Sequence, residues 1–216
     1  MIIAKSLSKQ FNKRFVLDDL NLEIKKGENV VFVGRNGSGK TTFIRCLLGL
    51  YTYQGDLSVD GLSPRKDRVK LLSRVGYVPQ TSPPINMMVL DLINYIAKLS
   101  GRTSAAIIEA ARSLQLNMEN DDIHKNFMKL SGGMKQKLMI AIAIGRGADI
   151  IVMDEPTSNL DPHSREIFLN LLSDVTRDTT VILTSHRADE LEFLSCRIIE
   201  MDYGKVISDS AKGGEI

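Results

Sequence analysis

Tryptophan is absent from this sequence, cysteine occurs only twice, and neither sign of charge dominates, the formal net charge being +2. Two cysteines without metal-type spacing exclude a disulfide scaffold and a structural zinc cluster. Cys46 in IRCLLGL and Cys196 in LSCRII sit in apolar settings and read as reduced thiols in or near the core. The balanced charge offers no excess that would argue for nucleic acid or a membrane surface as partner. Long apolar runs are missing too: LMIAIAI at 138–144 falls far short of the roughly 20 residues a spanning helix needs. The N-terminal MIIAKSLSKQF carries Lys5 and Lys9 and has no apolar core for a signal peptide, so export is not expected. What is present is ordinary for a globular chain: 216 residues, 43% hydrophobic and 25% charged, enough for one large domain or two small ones.

Periodicity gives the organisation. Apolar residues alternate over 2–7 and 15–24, with Leu20, Leu22 and Ile24 two apart, and predict two antiparallel strands followed by a turn at KKGE. NVVFVG at 29–34 is a short continuous apolar run ending in glycine, the pattern of a strand buried on both faces of a parallel sheet. A helix is expected from near Gly39, and GDLSVDG at 55–61 and GYVPQ at 76–80 read as further strands. Between Val89 and Leu116 apolar residues recur at i, i+3 and i+4, predicting two amphipathic helices, and a third covers MKQKLMIAIAIGRG. Strand, helix and strand then return in DIIVMDE, PHSREIFLNLLSDV and TTVILTSH, followed by a helix from Arg187 and a hairpin about Tyr203 and Gly204. This order predicts an α/β domain spanning 1–216. Its core, residues 1–80 and 148–216, is interrupted by a helical insertion at 81–147.

The chemistry collects at the strand ends. GRNGSGKTT at Gly34 to Thr42 fits G-x-x-x-x-G-K-[ST] and lies between a buried strand and a helix, the context that the motif requires. Its glycines let backbone N–H groups across Gly34, Arg35, Asn36, Gly37, Ser38, Gly39 and Thr42 turn toward the β-phosphate of a nucleotide, and the helix N-terminus adds positive potential. Lys40 then neutralises the β- and γ-phosphates and the Thr41 hydroxyl ligates Mg2+. DIIVMDE ends in two adjacent carboxylates: Asp154 is expected in the Mg2+ sphere, and Glu155 as the group that polarises an attacking water, either as general base or as a positioned acceptor. The bland reading is two acids capping a strand in solvent. His186 stands just past the apolar run of TTVILTSH, where a lone histidine is more often a cap or core residue than a catalyst.

A second glycine loop, KLSGGMKQK at Lys129 to Lys137, opens the third helical pattern and reads as a turn or as amides bared for an anion. With it, the chain resembles the ATP-binding cassette of ABC-type ATPases from end to end. The resemblance rests on Phe11 ahead of FVLDDL, Gly34 to Thr42, Gln80 in YVPQ, LSGGM at 130–134, DIIVMDE at 149–155, SNLD at 158–161, and His186. It implies a P-loop NTPase with a mainly parallel sheet core, an N-terminal antiparallel β-subdomain and an inserted α-helical subdomain. It further implies adenine stacking on Phe11, with Phe15 the nearest competitor. Gln80 and His186 become catalytic partners of Glu155, and Gln80 joins Thr41 and, through water, Asp154 around the metal. Met134 stands where the family often has glutamine, and Phe11 where tyrosine is frequent.

Head-to-tail pairing with a second ATP-binding subunit follows from the same resemblance, a homodimer being simplest and a paired heteromer fitting equally well. Ser131, Gly132 and Gly133 would serve the partner's ATP, and Asp161, which also reads as an N-cap ahead of Pro162, would lie at the interface. A transporter role then requires separate transmembrane permease subunits. These would dock near QTSPPINMMVLDL, where Ile85, Met87 and Met88 either receive a partner helix or pack the helical arm's own core. The expectation is an ATP- and Mg2+-dependent transport ATPase, cytoplasmic and peripheral on the inner face of the cell membrane. Exporter-like systems are suggested by the GYVPQ and LSGGMKQKL phrasing and by a hairpin at 196–208 that leaves little for a C-terminal regulatory domain. The alternative is a soluble cassette ATPase acting on ribosomes or DNA. A single cassette, no long coiled-coil insertion and near-neutral charge stand against it, so no nucleic-acid partner is expected.

Overall fold

The computed structural model describes residues 1–118, 122–175, 179–186 and 196–210. Strands β1 (Ile2–Phe11) and β2 (Arg14–Ile24) form a hairpin. Its turn, Asn12 and Lys13, takes φ values of 45 and 65, the left-handed pair whose twist suits a two-residue hairpin. Then come β3 (Asn29–Val33), α1 (Lys40–Leu47), β4 (Gln54–Val59), a short α2 (Arg68–Leu72) and β5 (Val75–Val78). Three helices follow, α3 (Val89–Leu99), α4 (Ser104–Ser113) and α5 (Gly132–Gly145). Last are β6 (Ile150–Asp154), α6 (Pro162–Val175), β7 (Thr180–Thr184), β8 (Arg197–Asp202) and β9 (Lys205–Ser210).

The strands divide into two sheets. One is antiparallel, ordered β2-β1-β4, so GDLSVDG belongs with the N-terminal hairpin. The other has the order β5-β6-β7-β3-β8-β9 and is parallel except for β9. Strands β6 and β7 are buried at every residue, which is why their sequences are continuous apolar runs rather than alternating ones. Alternate residues serve opposite faces. Ile151, Met153, Val181 and Leu183 pack with the helical arm, whereas Val152, Ile182, Val30 and Phe32 pack with α1 and the antiparallel sheet.

Strands β5 and β6 are hydrogen-bonded neighbours although α3, α4 and α5 separate them in sequence. The parallel pairing brings the end of β5, and hence Gln80, to the same sheet edge as Asp154 and Glu155. Strand β5 stops at Val78, short of the expected residue 80, because Pro79 has no N–H with which to continue the ladder. Helix α5 begins at Gly132 rather than Met134: the Ser131 hydroxyl accepts from the Met134 amide at 3.2 Å and caps the helix. Helix α2 was not expected; it buries only Leu71, too little to leave a readable period. The helix expected from Arg187 lies outside the described residues. Both cysteines are buried, as their apolar settings predict. Among the described residues, no helix is long and apolar enough to cross a membrane.

Candidate active site

The loop after β3 is shaped by close backbone approach. At Gly34, with φ 139, an added Cβ would lie 2.1 Å from the Met201 carbonyl oxygen. At Gly39, with φ 112, it would lie 2.7 Å from that of Val16. Neither position admits a side chain, so the main chain itself forms the wall. Gly39 is the N-cap of α1, and the first amides of that helix have no earlier helical carbonyl to bond. The resulting pocket, about 230 Å³, is lined by Asn36 to Thr42 together with Val16, Gln80 and Glu155.

Lys40 is 6% exposed. Its ammonium donates to the Gly34 carbonyl at 2.6 Å and the Arg35 carbonyl at 3.2 Å, and lies 3.5 Å from the Ser38 hydroxyl. Burial pushes its pKa down, against the opposing pull of Glu155 and Asp154. A lysine solvated by neutral oxygens in this way keeps its charge available to an incoming anion.

Asp154, the buried last residue of β6, receives two hydroxyl hydrogen bonds on Oδ1, from Thr41 at 3.0 Å and from Thr184 at 2.7 Å. Glu155 follows in a left-handed conformation, φ 47, and its amide donates to the same Thr184 hydroxyl at 2.9 Å. Its carboxylate turns to the pocket, where Oε2 accepts from Gln80 Nε2 at 3.0 Å and lies 3.6 Å from His186 Nδ1. Three sequence-predicted residues therefore meet at one oxygen. Thr41 and Asp154 supply hydroxyl and carboxylate oxygens, the donors a Mg2+ ion prefers, and any such ion would complete its shell with phosphate and water. Among the described residues no group of three or more His, Cys, Asp or Glu offers an alternative metal site.

Other predicted residues lie apart from this pocket. Phe11 is 39% exposed at the end of β1, its ring 5.3 Å edge-on from Tyr51, with the Lys9 ammonium 4.7 Å from its centroid. Phe15 is 47% exposed. Ser131, Gly132 and Gly133 form the start of α5 and do not line the P-loop pocket. Asp161 caps α6, accepting from the Ser164 amide at 2.9 Å and hydroxyl at 2.6 Å; these bonds pull its pKa down to about 2.

Thr184 carries no sequence signal of its own, because threonine in an apolar strand looks like a plain β-former. The signal that finds it is register: Thr184 is the Cα partner of Asp154 on the adjacent parallel strand.

The ABC transporter family model matches residues 17–158. ATP-binding cassette sub-family A member 17 of Mus musculus is 35% identical over 198 residues, covering 90% of this chain and 11% of the mouse protein. The chain thus spans a small part of that relative. Linearmycin resistance ATP-binding protein LnrL of Bacillus subtilis (strain 168) is 31% identical over 216 residues, covering 98% of this chain and 70% of LnrL. The dimeric structure of MJ0796, a bacterial ABC transporter cassette, superposes with a TM-score of 0.85 at 25% identity and covers 100% of both chains. With the P-loop, the glutamine and the paired carboxylates all inside the matched span, the chain belongs to the ABC transporter family, as one of its ATP-binding ATPase cassettes.

Proposed function

We propose that this chain is the ATP-hydrolysing subunit of an ABC transporter, which pairs with a second cassette around two ATP molecules and drives separate transmembrane permease subunits. One observation carries the catalytic part: the Glu155 carboxylate, hydrogen-bonded by Gln80 and beside His186, opens onto the P-loop pocket. In this reading the amides from Gly34 to Thr42 hold the β-phosphate and Lys40 reaches the β- and γ-phosphates. Phe11 offers its ring face to adenine. Thr41 and Asp154, with Gln80, are the residues that would hold Mg2+, whose chemistry is to withdraw charge from the phosphate oxygens. Glu155 orients the attacking water and accepts its hydrogen bond or its proton, while Gln80 and His186 keep the carboxylate pointed at the γ-phosphate.

A single P-loop and a single signature leave each site incomplete, so Ser131, Gly132 and Gly133 at the N-terminus of α5 serve the partner's nucleotide and Asp161 lies near the same interface. The permease contact falls on the arm beside Gln80. There Met87, Met88 and Met128 are 36%, 40% and 48% exposed, and backbone pairing of Met88 with Asn126 brings the two segments together. Such flexible thioethers suit a partner helix. In this reading the cassette works on the cytoplasmic face of a membrane. A relative described as a resistance protein favours outward transport.

The experiment is direct. Glu155→Gln retains ATP binding and lowers hydrolysis by about 100-fold or more, whereas Lys40→Ala abolishes ATP binding. Undiminished affinity in the lysine variant sinks the P-loop assignment, and near-normal turnover in the glutamine variant sinks the role of Glu155.

A further inference from the structure

At the centre of the site stands a polar side chain that no sequence motif claims. Thr184 ends β7, is 0% exposed, and directly follows the apolar run Val181, Ile182 and Leu183. Valine has the same shape and an equal liking for strands, and a buried hydroxyl is unfavourable unless it is hydrogen-bonded. Here both functions of the hydroxyl are used. Its proton goes to Asp154 Oδ1 at 2.7 Å, and its oxygen accepts the Glu155 amide at 2.9 Å.

Each bond fixes something different. The bond to Asp154 shares Oδ1 with the Thr41 hydroxyl, so one donor from the first turn of α1 and one from the end of β7 orient one carboxylate. The bond to the Glu155 amide holds a residue that carries a Cβ at φ 47, a conformation disfavoured for such residues unless a specific contact retains it. Releasing that amide would let the backbone relax and swing the Glu155 side chain away from Gln80 and His186.

We infer that Thr184 is the positioning residue that couples the two carboxylates, aligning Asp154 for the ion and Glu155 for water from one hydroxyl. The inference rests on the roles given to Asp154 and Glu155 above. It does not make Thr184 catalytic, since it acts only through its neighbours.

The test uses two substitutions that separate hydroxyl from shape. Thr184→Val keeps the volume and removes both hydrogen bonds; Thr184→Ser keeps the hydroxyl and removes the methyl. Equilibrium ATP affinity is measured in EDTA and in Mg2+, and turnover alongside. In Thr184→Val the affinity in EDTA stays at the wild-type level, which also reports that the fold and P-loop are intact. The gain in affinity on adding Mg2+ shrinks, and kcat falls, each by about 10-fold or more. Thr184→Ser stays close to wild type on all three. The proposal is overturned if Thr184→Val keeps both the Mg2+ gain and kcat, if it loses affinity equally with and without Mg2+, or if serine is as damaging as valine. Should Thr184→Val not fold, Thr184→Ala provides the same comparison against serine. Asp154→Asn is the control for the underlying reading: if it retains the Mg2+ gain, the ion assignment falls and the Thr184 inference with it. If it loses the gain while Thr184→Val does not, only the Thr184 inference falls.

Discussion

Asp161 shows how one side chain can satisfy the structural demand of a helix start. Its two bonds from Ser164 hold the carboxyl at about 2, against an ordinary value near 4. A depressed folded-state pKa means that the cap's contribution to stability is complete above pH ~4 and is lost as the pH falls toward ~2. The thermal midpoint of Asp161→Ala is therefore expected below that of wild type by a constant margin from pH 5 to 7, with the margin closing through the acid range. A margin that does not narrow on acidification contradicts this assignment. The cap was readable as aspartate before proline ahead of a helical pattern. Thr184 was not, because what gives it meaning is a neighbour on another strand, 30 residues away in sequence.

At the scale of elements, the strands were legible where burial on both faces made them continuous apolar runs, as in β3, β6 and β7. Their pairing was less so. Nothing local in GDLSVDG says that it joins the N-terminal hairpin rather than the parallel sheet, since either partner accepts the same residues. The junction of arm and core was also hidden. Arg146, at the end of α5, donates to the Val75 carbonyl at 2.9 Å and the Ser73 carbonyl at 3.1 Å, tying the arm to the start of β5. Burial lowers its pKa, and the carbonyls compensate part of that loss of water. Arg146→Ala removes charged donors from these carbonyls and is expected to cost about 2 kcal/mol in chemical denaturation. Arg146→Lys, with one donor group and no fork, should recover only part of it. An unchanged midpoint in the alanine variant would show that water replaces the guanidinium without loss.

The whole molecule explains why the motifs occur in the order they do. Four parallel strand ends, those of β3, β5, β6 and β7, carry respectively the P-loop, Gln80, the paired carboxylates and His186 to one edge of the sheet. The P-loop and the paired carboxylates were readable because each combines a strand pattern with chemical residues at its end, whereas Gln80 and His186 took their expected roles from the family resemblance. Their mutual distances were not, since sheet order depends on contacts far apart in the chain. The second glycine loop lies off this edge pocket, at the head of α5, which is the geometrical reason for giving it to a neighbouring cassette. We propose that this loop acts in trans, on the nucleotide of a partner cassette. Sedimentation of Glu155→Gln, with and without ATP and at one protein concentration, tests it most directly. A monomer without nucleotide that becomes a dimer in ATP, and stays monomeric when Ser131→Arg is added, is the predicted result. A monomer under all conditions, or a dimer indifferent to ATP and to Ser131, would contradict it.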